Sequence, residues 1–250
     1  MGAHGGEAIG QRPDRDAQSA AKRRIRGVVL AGTLSALTIL LGLVPMVGLI
    51  PVPTPAGSAT TMHIPAILGG ILGGPVVGSL VGLAFGLFSI GPAAIPVKDP
   101  LVVGLPRLFI GVVAWAVYAG ALRSDKRVTA ALLAVTAIFG AWFAVQMLPQ
   151  RPALGWAMLA LVALAAAVMV YFLGKGSREA IAVAAGALFG SFTNTVLVLG
   201  MAWLRAYIPG EGVLLVGITH GIPEAIVAVV ISVLVVGAVR GAAGWGRSSV

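Results

Sequence analysis

The sequence contains no cysteine, which excludes disulfides, thiolate metal sites and a cysteine nucleophile. Charge is also scarce. Only 10% of the 250 residues are Asp, Glu, Lys or Arg, where an ordinary soluble domain carries about 25%. So few charged side chains, several of them crowded into one tail, cannot hold the chain in water. Soluble enzymes, secreted modules and disordered proteins are excluded together. The sequence has no HExxH pair, no GxSxG elbow and no Walker A loop, so it carries no zinc-peptidase or P-loop signature. The nearest thing to a metal pair is His220 and Glu224 with Pro223 between them, and no third ligand is evident. No metal or cofactor is expected.

What is present is apolar: 58% hydrophobic residues and 35 glycines, with a mean hydropathy of +1.01. This predicts an all-α integral membrane protein whose helices pack closely through small residues. Residues 1–26 are polar, end in Lys22, Arg23, Arg24 and Arg26, and are expected to be a disordered basic cytoplasmic tail. The apolar run that follows, from Gly27 to about Ile50, is ~24 residues long, too long for a signal-peptide core and enough for a span. Pro51, Pro53 and Pro55 predict an extended loop. From Met62 to Ile90 glycine recurs at Gly70, Gly74, Gly78, Gly82 and Gly86, and this ladder is expected to pack helices within the chain. Further spans are expected over 101–122, 128–148, 153–173, 179–203 and 213–239, with 241–250 a short cytoplasmic tail.

Whether 62–90 is one kinked helix or two short ones follows from charge. If the chain breaks at Gly73-Gly74-Pro75 and the amino terminus is cytoplasmic, all basic residues but Lys98, Arg107, Arg151 and Arg205 fall on the cytoplasmic side, as positive-inside bias requires. A single pass would put the clusters at Arg123, Lys175 and Arg240 outside. Eight helices with both termini inside are therefore predicted for a multi-pass cell-membrane protein.

Polar groups at membrane depth are costly, and by default suggest a site. Arg107 is either an interfacial snorkelling arginine or a fork for an anionic ligand. Asn194 suits an interhelical hydrogen bond or a ligand contact, and Glu224 a pair with Arg107 or a ligand contact. His63 and His220 stand at outer helix entrances, where capping or packing is the ordinary role. Thr61 suits a helix cap, and Lys98-Asp99 a solvated loop pair. In the expected topology Thr61, His63, Arg107, His220 and Glu224 gather toward the outer side, suggesting a pocket open to the outside. Gly32 and Ala36 give helix 1 a flat, small-residue face that a neighbouring helix could approach.

At Met62-His63-Ile64-Pro65, the Gly-Gly-Pro run to Gly86, Leu105-Pro106-Arg107, Gly190 to Val196 and Gly221-Ile222-Pro223-Glu224-Ala225-Ile226, the sequence resembles the substrate-binding S components of energy-coupling factor (ECF) vitamin transporters. Within them it looks most like the pantothenate-type branch. The resemblance covers roughly 27–122 and 179–240. It implies a six-helix bundle that captures a vitamin, here with residues 128–173 as an added helical hairpin. It also implies a transmembrane T component and two ATP-binding subunits as partners, with Gly32 and Ala36 meeting the T component and no nucleic acid involved. Substrate contacts would fall to Thr61, His63, Arg107, Asn194, His220 and Glu224. His220 stands where the family pattern leads one to expect asparagine. The competing expectations are a membrane enzyme acting on a lipid or prenyl substrate, against which stands the lack of an acidic diphosphate-binding repeat, and a membrane scaffold.

Overall fold

Gly74 adopts φ +90°, a conformation that costs glycine nothing, and Pro75 opens the next helix where its missing N–H is no loss. The stretch from 64 to 90 is therefore two helices, α2 (Ile64–Gly73) and α3 (Pro75–Ile90), as the charge argument required. The computed structural model describes residues 12–44, 46–51, 58–92, 97–149, 152–174 and 177–242. Before α2 come α1 (Arg12–Leu43) and strands β1 (Leu49–Pro51) and β2 (Ser58–Thr60). After α3 come α4 (Leu105–Arg123), α5 (Lys126–Met147), α6 (Pro152–Gly174), α7 (Arg178–Leu204), α8 (Gly210–Val216) and α9 (Ile222–Ala242). A π-helical turn, Pro100–Gly104, leads into α4, and another, Gly217–Gly221, joins α8 to α9.

This is an all-α membrane protein with one short β-hairpin. Among the described residues, five segments are long and apolar enough to cross a bilayer: Ala17–Leu43, Pro100–Arg123, Arg127–Gln146, Arg178–Leu204 and Gly210–Gly241. At 10 and 16 residues, α2 and α3 reach only about 15 and 24 Å, short of a ~30 Å hydrocarbon core. The 10-residue α2 is buried from Ile64 to Ile71, so protein rather than lipid surrounds it.

Three expectations are corrected. Residues 12–26 are helical rather than disordered, because α1 begins at Arg12; residues 1–11 and 243–250 lie outside the described residues. The first apolar helix stops at Leu43 instead of near Ile50, since Val44 precedes a proline that disfavours helical backbone. Part of the proline-rich connection is an antiparallel hairpin pairing Leu49 with Thr60 and Ile50 with Ala59.

The glycine ladder packs helices as expected. A Cβ on Gly78 would stand 2.7 Å from the Gly111 Cα and 2.9 Å from the Gly70 Cα, so α2, α3 and α4 meet backbone to backbone. Gly86 meets Gly104 in the same way. The centre is α7, buried without interruption from Ala180 to Leu188, with Gly186 and Gly190 seated against Ala114 of α4. At the far ends of these helices, the Tyr118 hydroxyl donates to Glu179 at 3.0 Å and Arg240 donates to the Tyr118 hydroxyl at 2.9 Å. Arg240 also pairs with Glu179, which ties α4, α7 and α9 together.

Candidate functional site

The polar side chains converge where α2, α4 and α9 begin, against the middle of α7. His63 is the N-cap residue of α2, but its side chain makes no capping bond. It is fully buried, and its Nε2 lies 3.1 Å from the Ser191 hydroxyl of α7. Asn194 is buried one turn further along α7, on the face that carries Ser191.

Arg107 sits in the first turn of α4 and does not snorkel. It is 6% exposed, its guanidinium lies 5.0 Å from the Phe85 ring centroid, and its Nη1 donates to the Val102 carbonyl at 3.1 Å. The aromatic face and the carbonyl both favour a buried cation. That carbonyl belongs to the π-helical turn before α4. In a continuous α-helix the Val102 oxygen would face residue 106, but Pro106 has no N–H to donate, so this oxygen can accept from the Arg107 side chain instead. Such turns recur at functional sites.

Glu224, in the first turn of α9, lies within electrostatic reach of Arg107, as does His63. Among the described residues no ion pair joins Glu224 to Arg107. Its Oε1 instead accepts the Thr60 backbone N–H at 2.5 Å, which fastens the β-hairpin over this end of the bundle. His220 is buried in the second π-helical turn, its Nδ1 3.0 Å from the Thr219 hydroxyl. Gly221 lets that turn lie against α7, since a Cβ there would meet the Thr195 side chain at 2.8 Å.

Three buried polar atoms in this cluster have no hydrogen-bond partner: His63 Nδ1, Arg107 Nε and Asn194 Oδ1. Each such atom costs about 1–3 kcal/mol when left unsatisfied. With Nη1 engaged by Val102, the unpartnered Nε marks the guanidinium edge it shares with Nη2, the edge geometry that grips a carboxylate in two places. Ser232 Oγ is also unpartnered but lies on α9 about 12 Å beyond Glu224.

Of the six residues singled out by sequence, the structure brings His63, Arg107 and Glu224 together electrostatically, with Asn194 and His220 buried on the adjoining helices. Thr61 is different: its hydroxyl donates to the Val47 carbonyl at 2.8 Å, and its neighbour Thr60 makes the contact with Glu224. Lys98 and Asp99 are not a pair. Lys98 donates to the Gly91 carbonyl at 2.7 Å, while Asp99 pairs with Arg205. A cavity of about 750 Å³ lies between the α5–α6 hairpin and α7 and α9, with apolar walls that include Leu133, Phe139, Val162, Phe192 and Val229.

Ser191, Phe85 and the Thr60 amide were missed by sequence reasoning. The Ser191–Asn194 spacing on one helical face could have found the first. A backbone donor such as Thr60 leaves no mark in a sequence.

Buried polar side chains with unpartnered donor and acceptor atoms thus converge at one end of the helical bundle, an arrangement suited to holding a small polar molecule. Residues 26–160 match the family described as ECF transporter, substrate-specific component. That is more than half of the chain, and this chain belongs to that family. No curated protein matches it closely enough to report. Members of the family are transport subunits and not enzymes, so the expectation of a lipid- or prenyl-modifying enzyme falls away. Membership implies a small-molecule substrate, a membrane T component and ATPase partners. The matched range ends inside α6, and Ser191, Asn194, His220 and Glu224 lie beyond it.

Proposed function

We propose that this chain captures a small, water-soluble vitamin bearing a carboxylate, with pantothenate the first choice, from the outer side of the membrane. The supporting observation is the trio of unpartnered atoms on His63, Arg107 and Asn194. A carboxylate on the free edge of Arg107 answers one of them. An amide and hydroxyl groups answer the other two, within reach of Ser191, His220 and Glu224. Pantothenate carries all three kinds of group. The ligand is then passed on with a T component, which docks on the Gly32/Ala36 face of α1, and two ATP-binding subunits. Both termini are cytoplasmic, and residues 128–173 are an added hairpin on a six-helix bundle.

The test is calorimetric affinity for pantothenate together with the ligand-free melting temperature of the same variants. A charge-assisted bond to a buried group contributes about 1.5–3 kcal/mol, so Arg107→Ala weakens binding roughly tenfold to a hundredfold or more. Arg107→Lys recovers only part, because an ammonium cannot make the two-pronged contact. A well-folded Arg107→Ala protein that binds pantothenate as tightly as the unmodified chain ends the assignment. A lowered ligand-free melting temperature with unchanged affinity makes Arg107 a structural residue instead.

A further inference from the structure

The carbonyl that holds Arg107 is itself held from outside the membrane. Asp99 precedes the π-helical turn and accepts the Leu101 N–H on Oδ1 at 2.9 Å. Its backbone carbonyl accepts the N–H groups of Val102 and Val103 at 3.0 and 2.9 Å. Its other carboxylate oxygen pairs with Arg205 and accepts the Tyr207 hydroxyl at 3.2 Å. Arg205 and Tyr207 belong to the turn that ends α7, where Ala206 takes φ +57°, a left-handed conformation uncommon outside glycine. From the membrane side, Val102 and Val103 are buried against Ala202 of α7. The turn is thus fixed on one side by apolar packing and on the other by a single carboxylate with three partners, the Leu101 N–H and the Arg205 and Tyr207 side chains.

We propose that Asp99 is a positioning residue for Arg107: by capping the Pro100–Gly104 turn and anchoring it to Arg205 and Tyr207, it aims the Val102 carbonyl at Nη1 and leaves the Nε edge of Arg107 facing the ligand. Asp99 touches no substrate in this arrangement. The carboxylate is kept ionised by the Leu101 N–H, with Tyr207 and Arg205 adding to it, all of which hold it below the usual carboxylate range. The connection runs from the exposed α7–α8 turn to the buried guanidinium through one hydrogen-bonded segment. It therefore gives the outer loops control over how the site recognises an anion.

The proposal rests on Arg107 being the carboxylate ligand, and its test separates the two ideas. The first arm needs no ligand. In protein labelled with ¹⁵N-arginine, the side-chain Nε–H signal of Arg107 is assigned by its loss in Arg107→Lys. Asp99→Ala is expected to shift and broaden that signal. Asp99→Asn, which still accepts from Leu101, is expected to restore it. An Arg107 signal unmoved by Asp99→Ala overturns the proposal whatever the ligand is. If Asp99→Ala does not fold, Arg205→Ala takes its place with the same expected direction.

The second arm compares pantothenate with its alcohol analogue panthenol, which lacks the carboxylate. Asp99→Ala is expected to weaken pantothenate about tenfold, the scale of one lost charge-assisted contact, and to leave panthenol unchanged. In an Arg107→Ala background Asp99→Ala is expected to add nothing, the signature of two residues acting as one. Equal loss for both ligands, or full loss in the Arg107→Ala background, makes Asp99 a general structural residue and overturns the proposal. If the Arg107 signal moves but Arg107→Ala binds pantothenate normally, the pantothenate reading fails while the positioning role stands.

Discussion

Glu224 and Thr60 are 164 positions apart in the chain, yet the Glu224 carboxylate accepts the Thr60 backbone N–H at 2.5 Å. This bond closes the β-hairpin onto α9 beside Arg107.

The first prediction follows from that bond. Glu224→Gln keeps an oxygen acceptor for Thr60, whereas Glu224→Ala leaves the amide without one, at a cost of about 1–3 kcal/mol. Thermal unfolding of the ligand-free protein in detergent should show a lower melting temperature for Glu224→Ala and a much smaller change for Glu224→Gln. Equal melting temperatures for all three proteins would mean that the bond does not stabilise the closed hairpin.

The glycine ladder supplies a second. Gly78→Ala puts a methyl group 2.7 Å from the Gly111 Cα, and a backbone cannot yield as a flexible side chain does. Overpacking of this kind costs typically 1–3 kcal/mol. Gly120→Ala, near the end of α4, meets nothing within 4 Å and should be neutral or stabilising by about 0.5–1 kcal/mol. Gly78→Ala should lower the melting temperature, while Gly120→Ala should leave it unchanged or raise it; a matching loss in both would remove the close-contact explanation.

Helix α1 supplies the third. Ala31, Leu34 and Thr38 are buried, while Gly32 and Ala36 face outward, and a Cβ on Gly32 meets nothing within 4 Å. Gly32→Leu and Ala36→Leu should therefore leave folding and vitamin affinity unchanged. They should weaken co-purification with the T component, since leucine holds apart helices that small residues let touch. Normal assembly and uptake in both variants would move the docking face elsewhere.

Topology can be read with single cysteines, because the native chain has none. Ser124→Cys, between α4 and α5, should resist an impermeant thiol reagent in intact cells and react once the membrane is opened. A cysteine at Gly91, after α3, should label from outside. Labelling at position 124 in intact cells would overturn the placement of both termini in the cytoplasm.

The sequence alone determined the membrane class, most of the helical spans and the break at Gly74–Pro75. These depend on composition, on runs of one residue type, and on backbone preferences of glycine and proline that act within a few residues. It also picked out His63, Arg107, Asn194, His220 and Glu224, because a polar group in an apolar run stands out wherever the run folds. What the tertiary structure decided is who meets whom. Arg107 as a snorkelling residue and Arg107 over Phe85 are the same letters, and only the packing of α3 on α4 chooses between them. Asp99 read as a partner of Lys98 because neighbours in sequence are the only candidates that a sequence offers; its actual partner, Arg205, comes from the far end of α7. Thr60 enters the site through a backbone N–H, a group that every residue but proline carries, so it gives no signal until the hairpin is folded against α9. Helix formation is governed by local terms, whereas a buried polar site is assembled from helices hundreds of atoms apart along the chain, and their packing is what sets which donors and acceptors remain unpaired.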